Sequence, residues 1–283
     1  MPGSKPWLFD ILADAKQIFI FEKTDDKYAL HHRIMKCFKR HFELYREKKL
    51  ECIWVTYVPL VLLLKPEAVK EALKENKFSE KSWLYHVILP LTGSSFFISP
   101  FSKWKPRRKL LTPCFHSDML RDYLSVFNEQ SQKLMKSLQS EATEEFTFIE
   151  DPISICTLNT ICETMFGIQL EAMGIEGSNY VTSLKRLSEI CTSRLYTVYQ
   201  WPNFIFKLTP SYRDFVFHLK VVHNFSRKII IQKKHDYLTG NKDHSKGKRK
   251  ALLDVLVQQH LENQILNVED TRDDVDTFIV AVI

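Results

Sequence analysis

The sequence predicts a mainly α-helical fold with a small β-hairpin near its N-terminus. Three observations carry this. Apolar residues recur every three or four positions over most of the chain. Gly is scarce (7) and Phe abundant (20) among 283 residues, which suits long helices better than a turn-rich β fold. A period-two alternation shows only around ECIWVTYV, residues 51–58. The 45% hydrophobic and 26% charged content is that of a globular chain long enough to bury a sizeable core.

The elements follow in order. Residues 27–48 set Leu30, Ile34, Phe38, Phe42 and Tyr45 on one stripe, an amphipathic helix. ECIWVTYV alternates and PLVLLL follows directly, a two-stranded hairpin. Pro66 opens a short helix with Glu67 in its first turn, where an acid is favoured. Residues 79–101 are loop-like, with Trp83, Tyr85, Phe96 and Phe97 as aromatic patches. Ser117 or Asp118 caps a helix running to about residue 140. Asp151-Pro152 starts the next, over ISICTLNTICETMF, and Ser178 caps NYVTSLKRLSEICTSRLYTVY. Thr209-Pro210 begins a long helix whose stripe is Phe215, Leu219, Val222, Phe225 and Ile229. TGNKDHSKGKRK, residues 239–250, is a solvated basic loop. DTRDDVDTFIVAVI then opens with an acidic, cap-like turn and becomes wholly apolar. The chain is therefore expected to stop inside a helix, short of the structure that covers it.

The formal net charge of +6 is modest and clustered, at residues 103–109 and 242–250. Cys37, Cys52, Cys114, Cys156, Cys162 and Cys191 are scattered without a C-x-x-C pair, the usage of a reducing compartment. No H-E-x-x-H helix is present, so no metal site is assigned. The most apolar run, VPLVLLL, is far shorter than the roughly 20 residues a bilayer span needs.

The stretch SKWKPRRKLLTPCFH, residues 102–116, sets a Trp among five Lys and Arg residues and then turns apolar. With Ser102 as cap, Pro106 falls within the first four residues, whose N–H groups lack helical partners. Trp104, Arg108, Leu111 and Phe115 then share one face, while Lys105, Arg107 and Lys109 point toward solvent. A guanidinium beneath apolar neighbours calls for an anion. A planar carboxylate fits its fork, and the Trp104 indole N–H is a second donor one turn away. Two such donors can hold one carboxylate arm of a cofactor. The spacing alone fits equally a surface helix with a half-buried Trp.

W-K-P-R-R followed by KLLTPCFH resembles the C-helix of a cytochrome P-450, a haem-thiolate monooxygenase, and is most similar to the animal family 4 enzymes. MPGSKPW resembles the proline-rich hinge after that family's membrane anchor, and LNTICETMFG its L-D-I-I-C-E-T-A-M-G helix. YVTSLKRLSEI, FKLTP and LKVVHNFSRKII are similar to the next two helices. LLDVLV and TRDDVDTF resemble the approach to the long central helix and its start. The resemblance covers nearly the whole chain in order. It implies that residues 1–283 are the N-terminal portion of a single P-450 domain, an incomplete P-450 fold without its membrane anchor.

By the same resemblance, Trp104 and Arg108 hydrogen-bond a haem propionate, and Lys105, Arg107 and Lys109 lie near the face where a redox partner docks. Phe96, Phe97, Ile98 and Phe278 are candidate substrate-pocket walls. No catalytic residue is identified within the chain. The iron-ligating Cys of the late F-x-x-G-x-R-x-C-x-G loop is expected beyond residue 283, so the chain by itself is expected to be inactive. Glu43-Leu44-Tyr45-Arg46 and Glu269-Asp270-Thr271-Arg272 match the family's E-x-x-R spacing but sit in the wrong part of the chain, and read as surface helix pairs. Ala281 stands where some family 4 members carry a Glu that links to haem, and the D-T-T after the central Gly is missing.

The implied function is haem-dependent hydroxylation of fatty acids or similar long apolar chains, with O2 and electrons from NADPH through cytochrome P-450 reductase. The implied location is the cytoplasmic face of the endoplasmic reticulum membrane. Two alternatives stand beside it. One is a non-catalytic helical fragment. The other is a basic partner- or nucleic-acid-binding protein, although no nucleic-acid fold pattern accompanies the basic clusters.

Overall fold

The computed structural model describes residues 29–55, 58–74, 81–170, 175–239, 251–262 and 267–281. The MPGSKPW stretch, most of the basic loop at 239–250 and the final Val282 and Ile283 lie outside them. The chain divides into two compact units, the first ending at Glu80 and the second beginning at Lys81.

The first unit is helix α1 (Ala29–Tyr45), strands β1 (Leu50–Val55) and β2 (Val58–Leu63), and helix α2 (Pro66–Lys74). The strands pair antiparallel from Leu50 opposite Leu63 to Val55 opposite Val58. Pro59 lacks an N–H, which an edge strand tolerates, and both strands of a two-stranded sheet are edges. The inward face of α1 differs from the expected stripe. Phe38 and Phe42 are exposed, whereas Cys37 and His41 are buried. The reason is polar: His41 Nδ1 meets Glu51 Oε1 at 2.5 Å, and Glu51 is fully buried on β1. A carboxylate at that depth requires its partner on the same face of α1.

The second unit is almost entirely helical: α3 (Leu89–Thr92), α4 (Phe101–Leu111), α5 (Ser117–Asp122), α6 (Leu124–Glu141), α7 (Glu150–Ile161), α8 (Ile175–Tyr196), α9 (Asn203–Lys207), α10 (Pro210–Leu238), α11 (Leu252–Glu262) and α12 (Val268–Val280). Several boundaries depart from the caps read in the sequence. The helix expected to reach residue 140 breaks at the buried Tyr123, and α8 begins three residues before Ser178. The loop expected before α4 holds a 3-10 turn at Trp83–Val87, where Ser82 Oγ accepts the Leu84 N–H, and then α3.

The core forms where α8, α10, α11 and α12 meet. Tyr180 of α8 stacks on Phe225 of α10 with ring centroids 4.0 Å apart. Val222, Ile229 and Ile230 of α10 join Leu252, Leu253, Leu256 and Val257 of α11 and Val275 and Ile279 of α12 in one cluster. The turn from α8 to α10 is held by Arg194. Its guanidinium donates to Gln200 O (3.0 Å), Trp201 O (3.1 Å) and Asn203 Oδ1 (2.6 Å) and lies 4.1 Å from the Phe206 ring centroid. Helix α7 ends in a π turn, Cys162–Phe166, closed by Gly167 in the left-handed region at φ +66°. Burial pushes the Cys162 thiol up to about 12 and Cys191 up to about 11, so both pack as small apolar groups.

Helix α12 starts with a capping box. Asn267 Oδ1 accepts the Asp270 N–H at 2.7 Å, and Asp270 Oδ2 accepts the Asn267 N–H at 3.2 Å. Every residue from Thr271 to Thr277 is buried, four of them ionisable. The expected Glu269–Arg272 pair forms, but only half of it is at the surface: Glu269 is exposed, whereas Arg272 is buried. Arg272 bonds Glu269, meets Asp273 Oδ1 at 2.5 Å and lies 3.6 Å from Asp276, while Arg227 of α10 grips Glu269 with two bonds of 3.1 and 3.0 Å. Among the described residues no helix is long and apolar enough to cross a membrane.

Gly93 follows α3 with φ +54° and ψ −151°, a region nearly reserved for glycine. A Cβ there would stand 2.0 Å from Asp273 Oδ2. Gly93→Ala is therefore expected to cost about 1–3 kcal/mol from backbone strain alone. It must also displace Asp273 from the Ser94 N–H it accepts at 2.8 Å. Urea unfolding checks this, and an unchanged midpoint would contradict the close approach.

Candidate cofactor-binding site

Helix α4 begins one residue before Ser102, with Pro100 at the cap position and Pro100 O accepting the Lys103 and Trp104 N–H groups at 3.0 and 2.9 Å. Pro106 therefore lies inside the helix rather than in its first four residues. It removes the bond to Ser102 O, which is tolerable because Ser102 is exposed and water can take its place.

Trp104, Arg108, Leu111 and Phe115 line one hollow of about 680 Å³, together with Phe96, Phe278, Thr112, His116 and Ser117. Its wall is built by aromatic contacts across three segments. Phe278 of α12 sits 5.0 Å from Phe96 of the loop before α4 and 5.9 Å from Phe115 beyond α4. Leu111 is buried at its base and Trp104 is half-buried. Arg108 is exposed, not beneath apolar neighbours as the sequence suggested, and its guanidinium lies 5.0 Å from the Trp104 ring centroid, within cation–π range. Among the described residues no carboxylate pairs with it. An apolar hollow with a cationic fork at its edge suits a flat amphiphile whose apolar body enters and whose acid group stays at the rim.

The other candidates separate. Phe97 and Ile98 do not line this hollow: Phe97 turns outward onto Tyr85 (5.8 Å) and beneath Lys81 Nζ (4.7 Å), and Ile98 is half-buried elsewhere in the turn. Lys105 and Lys109 are exposed. Arg107 overturns the expected solvent-facing position. It is only 7% exposed, its Nη2 is 3.1 Å from Asp270 Oδ1, and its Nε is 3.0 Å from Asp274 Oδ2. The physical reason is visible in the spacing: Arg107 stands three residues after Trp104 and four before Leu111, so it shares their inward stripe. A guanidinium buried there requires acceptors and a counter-charge, and Asp270 and Asp274 of α12 provide the charge. Those acids are the missing signal, because D-T-R-D-D-V-D reads in the sequence as an acidic, cap-like turn.

Electrostatics on α12 follow from burial. Desolvation raises Asp274 to about 6 against the pull of Arg107, and raises Asp276 to about 8 against Ser226 and Arg272. Ser226 Oγ donates to Asp276 Oδ1 at 2.5 Å. His223 of α10, with Nε2 3.3 Å from Leu91 O and 3.7 Å from Asp276 Oδ2, is lowered to about 4 by burial and then by Arg272, so it is neutral at pH 7.

Sequence comparison supplies the class: the family model "Cytochrome P450" matches residues 18–282, and the chain belongs to that family. Among individual relatives it is 34% identical over 241 residues to Cytochrome P450 4c3 of Drosophila melanogaster, covering 80% of this chain and 45% of that protein. It is 33% identical over 249 residues to Cytochrome P450 4V2 of Rattus norvegicus (85% and 47%), and 30% identical over 260 residues to Cytochrome P450 4d1 of Drosophila melanogaster (88% and 51%). The chain spans about half the length of the curated relatives it matches.

The family implies haem, and the donor set fits one. The Arg108 fork and the Trp104 indole stand at the rim of a hollow walled by Phe96, Leu111, Phe115 and Phe278. Haem, when bound, would supply redox chemistry that the side chains cannot perform. The chain's residues would bind and orient it: Arg108 and Trp104 by holding an acid arm, the three Phe rings and Leu111 by covering its apolar body and excluding water.

Proposed function

We propose that this chain forms part of a haem-dependent monooxygenase of the family 4 type, which hydroxylates fatty acids or similar long apolar chains. The observation that carries the reading is the shared hollow. An Arg free of carboxylate partners among the described residues and a Trp stand together over aromatic walls, in a chain of the cytochrome P450 family. The apolar lining from Phe96, Phe115 and Phe278 favours an apolar substrate over a polar one. The electrons would come from NADPH through a flavoprotein reductase. Lys105 and Lys109, both exposed on α4, would attract that acidic partner. The enzyme would act at the cytoplasmic face of the endoplasmic reticulum membrane.

Titrating haemin into the chain tests the cofactor site by absorption. Saturable binding is expected, and Arg108→Gln or Trp104→Phe should each weaken it at least tenfold, through loss of one charge-assisted hydrogen bond of roughly 1.5–3 kcal/mol. Lys103→Gln, on an exposed position of the same helix, should leave it unchanged. Native affinity in the Arg108 variant would remove the basis for this function.

A further inference from the structure

Arg107 occupies the junction of three segments that wall the hollow. Its Nη1 donates to Ser94 O at 2.6 Å and its Nη2 to Asp270 O at 3.3 Å, in addition to its ion pairs with Asp270 and Asp274. The same acids hold the loop before α4 by its backbone: Asp273 Oδ2 accepts the Ser94 N–H at 2.8 Å, and Asp274 Oδ1 accepts the Phe96 N–H at 3.0 Å. Ser99 Oγ closes the loop on Ser94 O at 2.9 Å. Three of the residues lining the hollow are thus one step from this junction. Arg108 is the next residue on α4, Phe96 is tethered by Asp274, and Phe278 lies one helical turn beyond Asp274.

We propose that Arg107 is a positioning residue: its guanidinium locks α4, the loop at residues 93–99 and α12 in one register, so that Trp104, Arg108, Phe96 and Phe278 form a single hollow. This rests on the reading of that hollow as the haem site. Arg107 does not reach the hollow; it acts through Ser94, Asp270 and Asp274. Planarity and reach suit Arg to the task, because one fork serves the Ser94 carbonyl of the loop together with the Asp270 and Asp274 carboxylates of α12. Lys, with a single nitrogen, could not span all of them at once.

Two measurements on the full chain test this. Amide hydrogen exchange reads the clamp directly, and haemin titration reads its consequence. Arg107→Gln is expected to speed exchange at the Ser94 and Phe96 amides at least tenfold, to leave α10 amides protected, and to weaken haemin binding at least tenfold although every cavity residue is retained. Arg107→Lys should recover part of both losses, and Lys103→Gln should show neither. If Arg107→Gln fails to fold, Asp274→Asn replaces it, since Asn keeps an oxygen for the Phe96 N–H and removes only the charge facing Arg107 Nε. Native protection of both amides would overturn the proposal. So would released amides with native haemin affinity, provided Arg108→Gln weakens binding. Native affinity in Arg108→Gln itself defeats the haem reading, and the positioning role falls with it.

Discussion

Replacing Asp276 by Asn is expected to stabilise the protein above pH 7, with the gain growing as pH rises to about 8. Asp276 is fully buried, and its folded-state value of about 8 stands far above the ordinary 3.8. Between those values the folded state holds a proton the unfolded state has released, so the stability this group contributes is complete below pH 3.8 and is lost as pH rises through 8. Two neighbours complicate the lower half of that range. His223, depressed from 6.5 to about 4, contributes stability that is present above pH 6.5 and lost as pH falls toward 4, the opposite slope. Asp274, raised to about 6, acts with Asp276 but only up to that pH. The clean window is therefore pH 6.5 to 8, where Asp276 is the one of these three still changing. Across it the native chain should lose stability, on the order of a kcal/mol per pH unit at most. Asn reproduces the uncharged form and keeps an oxygen for the Ser226 hydroxyl, so its curve should be flat. Denaturant unfolding at pH 6.5, 7.2 and 8 compares them; parallel slopes would show that Asp276 is not the titrating group.

Replacing Phe166 by Ala should cost about 3–5 kcal/mol, enough to unfold a large share of the molecules if total stability lies in the usual range. Phe166 ends the π turn after α7, is fully buried, and belongs to the cluster with Tyr180, Leu252 and Val275. Its neighbours in that cluster are themselves buried and close-packed, so the space left cannot readily be refilled. Phe148, 72% exposed at the approach to α7, is the control: its Ala variant should shift stability by no more than about 0.5 kcal/mol. Urea midpoints distinguish the two, and equal shifts would place Phe166 outside the core.

Much of the fold was legible because helical periodicity is local. The α10 stripe read in the sequence includes Phe215, Val222, Phe225 and Ile229, all buried in the structure, and the hairpin stands at residues 50–63. Prolines marked starts correctly at α2 and α10, where a missing N–H is harmless. Side-chain caps were poorer guides. Thr209 takes the cap position of α10, yet its hydroxyl donates to Phe206 O instead of accepting a helical N–H. Around residues 83–92 the short helices owe their place to tertiary contacts, such as His223 to Leu91 O, and no periodic signal announces them.

The same division runs through the candidate site. The W-x-x-x-R spacing places Trp104 and Arg108 on one helical face by geometry alone, and the family can be recognised from motifs in chain order. What faces that helix cannot be derived from α4 itself. Whether Arg107 meets water or a core depends on which segment packs beside it, and that segment, α12, begins 160 residues later. Local sequence determined the long helices, the apolar stripe of α10 and the family. Tertiary packing decided which charges are buried, because the cost of burying a charge is set by partners that only the folded chain brings within 3 Å.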